Sequence, residues 1–396
     1  MKWTTRIVCL ALGFLLAGNV QGQTSGDTPK DAPKPLPAPL RAAWESAGFE
    51  SGWARSGFVF SAKPFEPNQD GGSVPYFRLQ RNRQVSEQVP AFRLKKWRSG
   101  IVDKLPIPED GFGLELSGSG VTDAGVKELT RLTKLRLLIL IQTSVTEAGF
   151  KELSAFQQLA NLDIFQTRVT DADLKHIAQI KTLQTLSLLS TKVTDDGLNE
   201  LAALENLQSL DLRNTRITGT GLKELKNLTH LNLVQGDLDL QTKLTVEGLK
   251  QVGKLQKLQI LSLDNVVLPK TGIKELAGLT ELRELSFRVY AGQKKGFNTN
   301  VTDGVLKVVA GFNQLRVLRL GGTSVTDVGM NEVAKLTELE FLDLSRTAVS
   351  DASLRVLARL KNLKYIDVRG SRVTSVGIGQ LLIAKKGQGL GADWTR

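Results

Sequence analysis

Apolar positions recur with a fixed period over most of the chain. From about residue 111 to residue 383 the leucines follow a 24-residue pattern, L-x-x-L-x-L-x-x-T-x-V-T-D-x-G-L-x-x-L-x-x-L-x-x. The L-x-L step has a period of two, which places both leucines on one face of a short strand. The later L-x-x-L-x-x-L step has a spacing near three, which suits one side of a short helix. Each unit is therefore predicted to form a strand, a turn and a short helix.

A single unit of this kind has an apolar face that it cannot cover alone. Stacked units bury one continuous core, and their strands form a parallel sheet that lines a concave face. The pattern predicts about eleven units, of which the first is half-formed. The unit starts are Leu114, Leu135, Leu159, Leu183, Leu207, Leu228, Leu258, Leu282, Leu315, Leu339 and Leu363.

The unit resembles the leucine-rich-repeat family over residues 111–383, and it is most similar to exported bacterial members that carry T-x-V-T-D-x-G-L. The resemblance implies an α/β solenoid, or horseshoe. One departure is that a hydroxyl residue stands where the family has an interior Asn or Cys, and a hydroxyl can make the same bond to the backbone. The positions concerned are Thr143, Thr167, Thr191, Thr215, Thr323, Thr347 and Ser371.

The V-T-D-x-G segment is predicted to begin the helix of each unit. Its threonine is placed to accept a hydrogen bond from a free N–H of the first helical turn. The acid that follows lies favourably at the positive end of the helix. The glycine two residues further on is expected to permit close packing. The threonines concerned are Thr122, Thr146, Thr170 and Thr194.

The N-terminus is predicted to be a secretory signal peptide over residues 1–22. Lys2 and Arg6 precede an apolar run at residues 7–18, and small or polar residues follow. The run is shorter than the roughly 20 apolar residues of a membrane span, and a buried N-terminal helix is the less favoured alternative. The single cysteine, Cys9, lies too early in the run for a lipid anchor, so the mature chain would lack disulfides.

The segments outside the repeats differ in composition. Residues 23–41 are rich in proline and are predicted to form an extended, disordered linker. Residues 42–110 contain Trp44, Trp53 and Trp97 and lack the leucine period, which favours an N-terminal aromatic cap over a small ligand-binding subdomain. Residues 384–396 are interpreted as a C-terminal tail.

Composition gives little sign of catalysis. The two histidines, His176 and His230, fall in different units and on different faces, and the common hydrolase, metalloprotease and phosphate-binding motifs are missing. We therefore expect a binding protein with no metal, no cofactor and no enzymatic activity. The formal net charge of +12 favours anionic surfaces, but the export signal argues against nucleic acid as a partner.

The strand register predicts which side chains project onto the concave face. Most are polar, but the second to fourth units place an apolar group there, and neighbouring strands are about 4.8 Å apart. This apolar patch is predicted to bind a protein partner, with cover by the N-terminal segment as an equally weighted alternative. Its residues are Leu137, Ile139, Ile141, Phe165 and Leu189.

Two units are longer than 24 residues, and the additions fall after the strand at residues 234–243 and 289–298. Insertions on one edge of a solenoid often mark the binding side, although simple loop variation is an alternative. The first loop is acidic. The second is predicted to contribute to partner binding through Tyr290, Lys294, Lys295 and Phe297.

A basic segment with interleaved aromatic residues covers residues 76–98. It supports a second hypothesis, the binding of an anionic polysaccharide or envelope polymer outside the cytoplasm, and its alternative interpretation is the solvated side of cap strands. The primary hypothesis remains protein–protein recognition in the periplasm or outside the cell. The residues of the basic segment are Arg78, Arg81, Arg83, Arg93, Lys95, Lys96, Trp97 and Arg98.

Overall fold

The computed structural model describes residues 34–55, 88–235, 244–290, 299–386 and 389–394. Fourteen strands form one open sheet in chain order; β1 and β2 pair antiparallel, and all later neighbours pair parallel. The strands are β1 (Glu50–Arg55), β2 (Gln88–Arg93), β3 (Phe112–Glu115), β4 (Leu135–Ile139), β5 (Asn161–Asp163), β6 (Thr185–Ser187), β7 (Ser209–Asp211), β8 (His230–Asn232), β9 (Ile260–Ser262), β10 (Glu284–Ser286), β11 (Val317–Arg319), β12 (Phe341–Asp343), β13 (Tyr365–Asp367) and β14 (Gly391–Asp393).

Short helices connect consecutive parallel strands and pack against one another in a second layer. The α-helices are α1 (Ala38–Ser46), α2 (Asp123–Leu129), α3 (Glu147–Glu152), α4 (Asp171–Ile177), α5 (Asp195–Leu198), α6 (Val246–Gly253), α7 (Asp303–Val309), α8 (Met330–Val333), α9 (Asp351–Leu357) and α10 (Ser375–Ala384). Four 3₁₀ turns occupy Leu153–Ala155, Asn199–Ala203, Thr220–Leu222 and Ile273–Gly278. The predicted alternation of strand and helix is thus confirmed, and the molecule is an open α/β solenoid.

The core lies between the two layers and runs the length of the solenoid. Both leucines of the L-x-L step point into it; Leu186 and Leu188, for example, are completely buried. The hydroxyl three residues after the second leucine donates to that leucine's carbonyl oxygen, as Thr191 does to Leu188 at 2.6 Å. The predicted backbone role of these hydroxyls is therefore confirmed. The other donors are Thr143, Thr167, Thr215, Thr323, Thr347 and Ser371.

The predicted capping role of the V-T-D threonines is wrong for Thr122, Thr146 and Thr194, whereas Thr170 forms a capping box, as predicted. Thr146 makes no side-chain bond to its own helix; its N–H and hydroxyl both donate to the carboxylate of Asp123 in the preceding unit, at 2.7 and 2.6 Å. The same bonds join Thr194 to Asp171 and recur along the solenoid. A hydroxyl that donates to a carboxylate can still accept a bond, and Thr374 does both, donating to Asp351 and accepting from the Gly377 N–H. The further pairs are Thr218–Asp195, Thr326–Asp303, Ser350–Asp327 and Thr374–Asp351.

The glycine of V-T-D-x-G allows neighbouring units to approach closely, as predicted. A Cβ atom on Gly149 would lie 2.5 Å from a carboxylate oxygen of Asp123, which real Cβ atoms do not tolerate. Gly248 approaches the preceding unit more closely still, because a Cβ atom on it would lie 1.9 Å from the carbonyl oxygen of Thr218 and 3.0 Å from the Cα of Gly219. Gly219 also has φ +99°, a left-handed conformation that favours glycine. These glycines set the spacing of the helical layer.

The N-terminal segment closes one end of the core. Trp44 of α1 stacks on Phe92 of β2 at 4.3 Å between ring centroids, and Phe49 and Phe112 meet the indole edge-on. The linker was predicted to extend to residue 41, which is wrong, because α1 begins at Ala38 and Leu36 is buried in the core. The prolines next to Ala38 fit there because the first helical turn needs no intrahelical N–H bond.

The C-terminal residues also belong to the fold. The tail was predicted to start at residue 384, but Gly391–Asp393 form β14, which pairs parallel with β13. The sequence of this strand carries no leucine of the repeat, so the 24-residue pattern did not reveal it. The sheet therefore ends one strand later than predicted.

Candidate recognition site on the concave face

Three columns of side chains cover the concave face, one residue per strand in each column. The central column, which is the middle residue of each L-x-L step, runs through Glu115, Ile139, Asp163, Ser187 and Asp211 in hydrogen-bonded register. Because the strands are joined residue for residue, the positions of these side chains relative to one another are set by the sheet. The later members are Asn232, Ser262, Ser286, Arg319, Asp343, Asp367 and, on the additional strand, Asp393.

The predicted apolar patch is partly internal. Leu137 and Ile139 are 4% and 3% exposed and form a small apolar cluster with Ala54 and Ala91 of the cap strands. The N-terminal segment therefore covers these two residues, as the alternative interpretation predicted, and their assignment to partner binding is wrong. The space that admits Leu137 exists because Gly113 stands between it and Ala91.

The remainder of the patch is accessible. Ile141 packs against the cluster but stays half-buried, and Phe165 and Leu189 are half-buried in the following units. The three side chains occupy equivalent positions just after β4, β5 and β6, so they lie in one column at the strand spacing of about 4.8 Å. Together they form the apolar part of the candidate site, which we call the apolar column.

The apolar column is followed by an ion pair. Arg213 stands at the next position of the column, and its Nε lies 2.8 Å from both carboxylate oxygens of Asp211. Asp211 is completely buried and Arg213 is largely buried, with its side chain 12% exposed. A carboxylate withdrawn from water in this way depends on the guanidinium for its charge balance.

A second charged cluster lies two units further on. Asp264 is buried and accepts hydrogen bonds from Ser286, from the Arg288 backbone N–H at 2.8 Å and from the Tyr290 hydroxyl at 2.7 Å. Arg288 also pairs with Asp264 at 3.3 Å and lies over the Tyr290 ring, 5.4 Å from its centroid. Burial raises the pKa of Tyr290, and the negative charge of Asp264 adds to the effect. The phenol therefore stays protonated and remains a donor.

This geometry changes the interpretation of the second loop. Tyr290 was predicted as part of a rim loop, but its hydroxyl points to Asp264 on the sheet, so it belongs to the concave face. Lys294, Lys295 and Phe297 lie outside the described residues, and so does most of the acidic loop at residues 236–243. The contribution of those loop residues to partner binding stays a prediction.

An aromatic group on the C-terminal strands was missed by sequence reasoning. Phe341 and Tyr365 stack with centroids 5.1 Å apart and an angle of 7° between the rings. Ile260 and Val317 are half-buried in the same column. These residues precede the first leucine of each L-x-L step, so the same alternation that identified the central column could have placed them on the concave face.

Two aspartates of the central column have perturbed pKa values. Loss of solvent around the Asp163 carboxyl raises its pKa from 3.8 to about 6, and hydrogen bonds from Phe165 and Ser187 oppose this only in part. Burial likewise raises the pKa of Asp343, against the hydrogen bonds from Ser345. The concave face therefore takes up protons in a range where exposed carboxylates are already ionised.

Asp163→Asn is expected to stabilise the fold at pH 7.5 by about 1–2 kcal/mol. This figure is the difference between the folded and unfolded pKa values multiplied by about 1.4 kcal/mol per pKa unit, and it is reduced because the side chain is partly exposed. The folded pKa of Asp163 is raised, so its stabilising contribution is present below pH 3.8 and is lost as the pH rises through about 6. Urea unfolding of both proteins at pH 4 and pH 7.5 measures the difference. Asp196→Asn on the exposed helix start is the control, and an Asp163→Asn gain that is equal at both pH values would contradict the assignment.

The basic segment is divided by the fold. Arg93 projects onto the concave face and pairs with buried Glu115 at 2.6 Å, while Lys95 pairs with Glu50 at 2.5 Å. Trp97 packs against the core beside Gly125, and a guanidinium nitrogen of Arg98 donates to the carbonyl oxygen of Ala47. Lys96 is exposed, and Arg78, Arg81 and Arg83 lie outside the described residues. The described part thus ties the cap to the repeats and forms no continuous basic strip.

The histidines lie apart, as predicted. His176 on α4 is 3.2 Å from Glu147, which replaces the usual aspartate of the inter-unit bonds. His230 lies on the concave face beside Thr229, and burial lowers the pKa of its imidazole. Among the described residues, no group of three or more His, Cys, Asp or Glu side chains is arranged to hold a metal ion. No helix in that part of the chain is long and apolar enough to cross a membrane.

Comparison with known proteins agrees with the repeat assignment. The Leucine Rich repeat family model matches residues 203–226, one unit of the solenoid. Together with the 24-residue period and the open parallel sheet, this defines an α/β leucine-rich-repeat solenoid. A search of curated proteins finds no significant match.

Several solved structures are similar to the chain. An internalin (inlF) of Listeria monocytogenes is 18% identical, with 72% of this chain and 87% of that chain covered and a TM-score of 0.45. Internalin C2 (inlC2) of the same species is 26% identical over 57% of this chain and 84% of that chain, with a TM-score of 0.39. The mouse RP105/MD-1 complex is 18% identical, with 70% of this chain and 50% of that chain covered and a TM-score of 0.49.

Proposed function

We propose that this protein is a protein–protein recognition module that binds its partner on the concave face. The observation that carries the proposal is the arrangement of the apolar column, Ile141, Phe165 and Leu189, directly beside the buried ion pair of Arg213. Apolar anchors surrounded by fixed polar groups are typical of binding hot spots. Because the sheet holds every side chain in register, the surface is preorganised, which lowers the entropy cost of binding.

We further propose that recognition takes place outside the cytoplasm, in the periplasm or beyond the cell. The support is the amino-acid pattern of residues 1–22, with two basic residues before a short apolar run. Expression of the full chain in a bacterial host, followed by fractionation and N-terminal sequencing, tests this. A processed chain in the periplasm or medium is expected, and an unprocessed chain in the cytoplasm would contradict it.

Site-specific crosslinking tests the concave site. A photoreactive phenylalanine analogue is placed at Phe165, and in a matched protein at Gln179, which is exposed on the helical side of the same unit. Irradiation with the native envelope or culture fraction is expected to give a discrete crosslinked protein from position 165 only. Crosslinks of the same identity and yield from position 179 would contradict the proposal.

Phe165→Glu is then expected to weaken binding of that purified partner by at least tenfold, while Gln179→Glu changes it less than twofold. The estimate follows from about 1.5–3 kcal/mol for burial of one large apolar side chain. Binding is measured by titration calorimetry, and circular dichroism verifies that both variants are folded. Equal affinities of the two folded variants would exclude the apolar column as the anchor.

A further inference from the structure

The aromatic pair at the C-terminal end belongs to a longer stack. The Arg319 guanidinium lies over the Phe341 ring, 5.3 Å from its centroid, and Phe341 stacks on Tyr365 at 5.1 Å. The same guanidinium forms an ion pair with Glu284 on the neighbouring strand. At this end of the stack, therefore, a planar cation is held jointly by an aromatic face and by a carboxylate.

At the other end of the stack, within the part of the chain that the structure describes, the neighbouring strand places a glycine and an acid beside Tyr365. The register position beyond Tyr365 is Gly391, and a Cβ atom there would lie 3.2 Å from Cδ2 of Tyr365, so the ring lies close against this strand. Two residues on, the carboxylate of Asp393 accepts a hydrogen bond from the Tyr365 hydroxyl. Tyr365 is half-buried, and the adjacent Trp394 is 43% exposed.

The charges around this end are predominantly negative. Asp343, Asp367 and Asp393 occupy consecutive positions of the central column, and the cation paired within the group is Arg369, 2.5 Å from Asp367. Among the described members of this group, three carboxylates lie beside one guanidinium, in a chain whose formal net charge is +12. Burial raises the pKa of Tyr365, and the bond to Asp393 and the charge of that carboxylate raise it further.

We propose that the outer face of Tyr365, above Gly391, binds the guanidinium of an arginine side chain on the partner protein, with Asp393 as its carboxylate acceptor. The incoming guanidinium would stack on Tyr365 and pair with Asp393, in the same way as the Arg319 guanidinium stacks on Phe341 and pairs with Glu284. Arginine fits better than lysine because its planar cation stacks on a ring and bonds a carboxylate at the same time. The inference rests on the proposed function and names the partner chemistry at this end of the concave face.

Fluorine NMR with small probes tests this directly. The chain has three tyrosines, so 3-fluorotyrosine labelling of the full-length protein gives three resonances, which Tyr365→Phe and Tyr290→Phe assign. The probes are N-acetylarginine amide, its lysine counterpart and the uncharged citrulline counterpart. The arginine probe is expected to shift the Tyr365 signal saturably at millimolar concentration, with lysine at least threefold weaker, citrulline inactive and Tyr290 unmoved.

Two variants and a control locate the site. Asp393→Asn keeps an acceptor for the Tyr365 hydroxyl but removes the charge, and is expected to weaken arginine binding at least fivefold. Gly391→Val fills the space over the ring and is expected to abolish the shift, whereas Glu338→Gln on an exposed turn leaves it unchanged. If Gly391→Val does not fold, Asp393→Asn alone decides the result.

The proposal is overturned if citrulline or lysine binds as tightly as arginine, or if Asp393→Asn binds the arginine probe like the unmodified protein. These outcomes are separate from those of the crosslinking experiment. Loss of probe binding with the Phe165 crosslink retained rejects the arginine site alone. A saturable arginine shift without any Phe165 crosslink rejects the apolar anchor instead.

Discussion

Arg213→Met is expected to destabilise the solenoid by about 3–5 kcal/mol, the range for removing one partner of a buried ion pair. The reason is the state of Asp211, which is completely buried and whose two carboxylate oxygens both face the Arg213 guanidinium. Methionine keeps much of the side-chain volume but leaves the carboxylate without its countercharge. The loss of folding stability is therefore electrostatic and does not come from poorer packing.

Urea unfolding followed by circular dichroism measures this effect. Arg216→Met in the same unit is the control, because Arg216 is exposed and a surface change of this kind costs less than about 0.5 kcal/mol. The double variant Asp211→Asn with Arg213→Met is expected to recover most of the lost stability, since no buried charge then remains. If the single Arg213 variant is as stable as the Arg216 control, the ion pair with Arg213 does not stabilise the buried carboxylate of Asp211.

Gly248→Ala is expected to destabilise the protein by about 2–3 kcal/mol, near the upper end of the cost of overpacking a core. The added methyl group would overlap the carbonyl oxygen of Thr218 and lie 3.0 Å from the Cα of Gly219. Both obstacles are backbone atoms of the preceding unit. The helix α6 would have to move away from that unit, because no side chain can rotate to make room.

Gly304→Ala is the matched control, since it lies in the first turn of α7 and its nearest neighbour would be the Thr302 hydroxyl at 3.7 Å. Alanine is expected to stabilise that helix by about 0.5–1 kcal/mol through its better helical propensity. Thermal unfolding of both variants gives the comparison. Equal changes in the melting temperature for the two substitutions would show that the contact between units at Gly248 is not tight.

The 24-residue pattern by itself determined the repeating unit and the orientation of its side chains. In a strand the side chains alternate between two faces, so the positions of Leu186 and Leu188 in the core also place Ser187 on the concave side. The hydroxyl bond of Thr191 was predictable for the same reason, because its acceptor is three residues away in the same turn. Information of this kind is local and is present in every unit.

The contacts of the cap, the partners of the charged residues and the accessible part of the site were decided only by the tertiary structure. Leu137 is buried because Gly113 leaves it room to reach Ala91, and Thr146 bonds to Asp123 instead of its own helix. Each of these contacts joins residues at least 23 positions apart. Their energies depend on burial and on competing partners, which are properties of the assembled solenoid and not of any single unit.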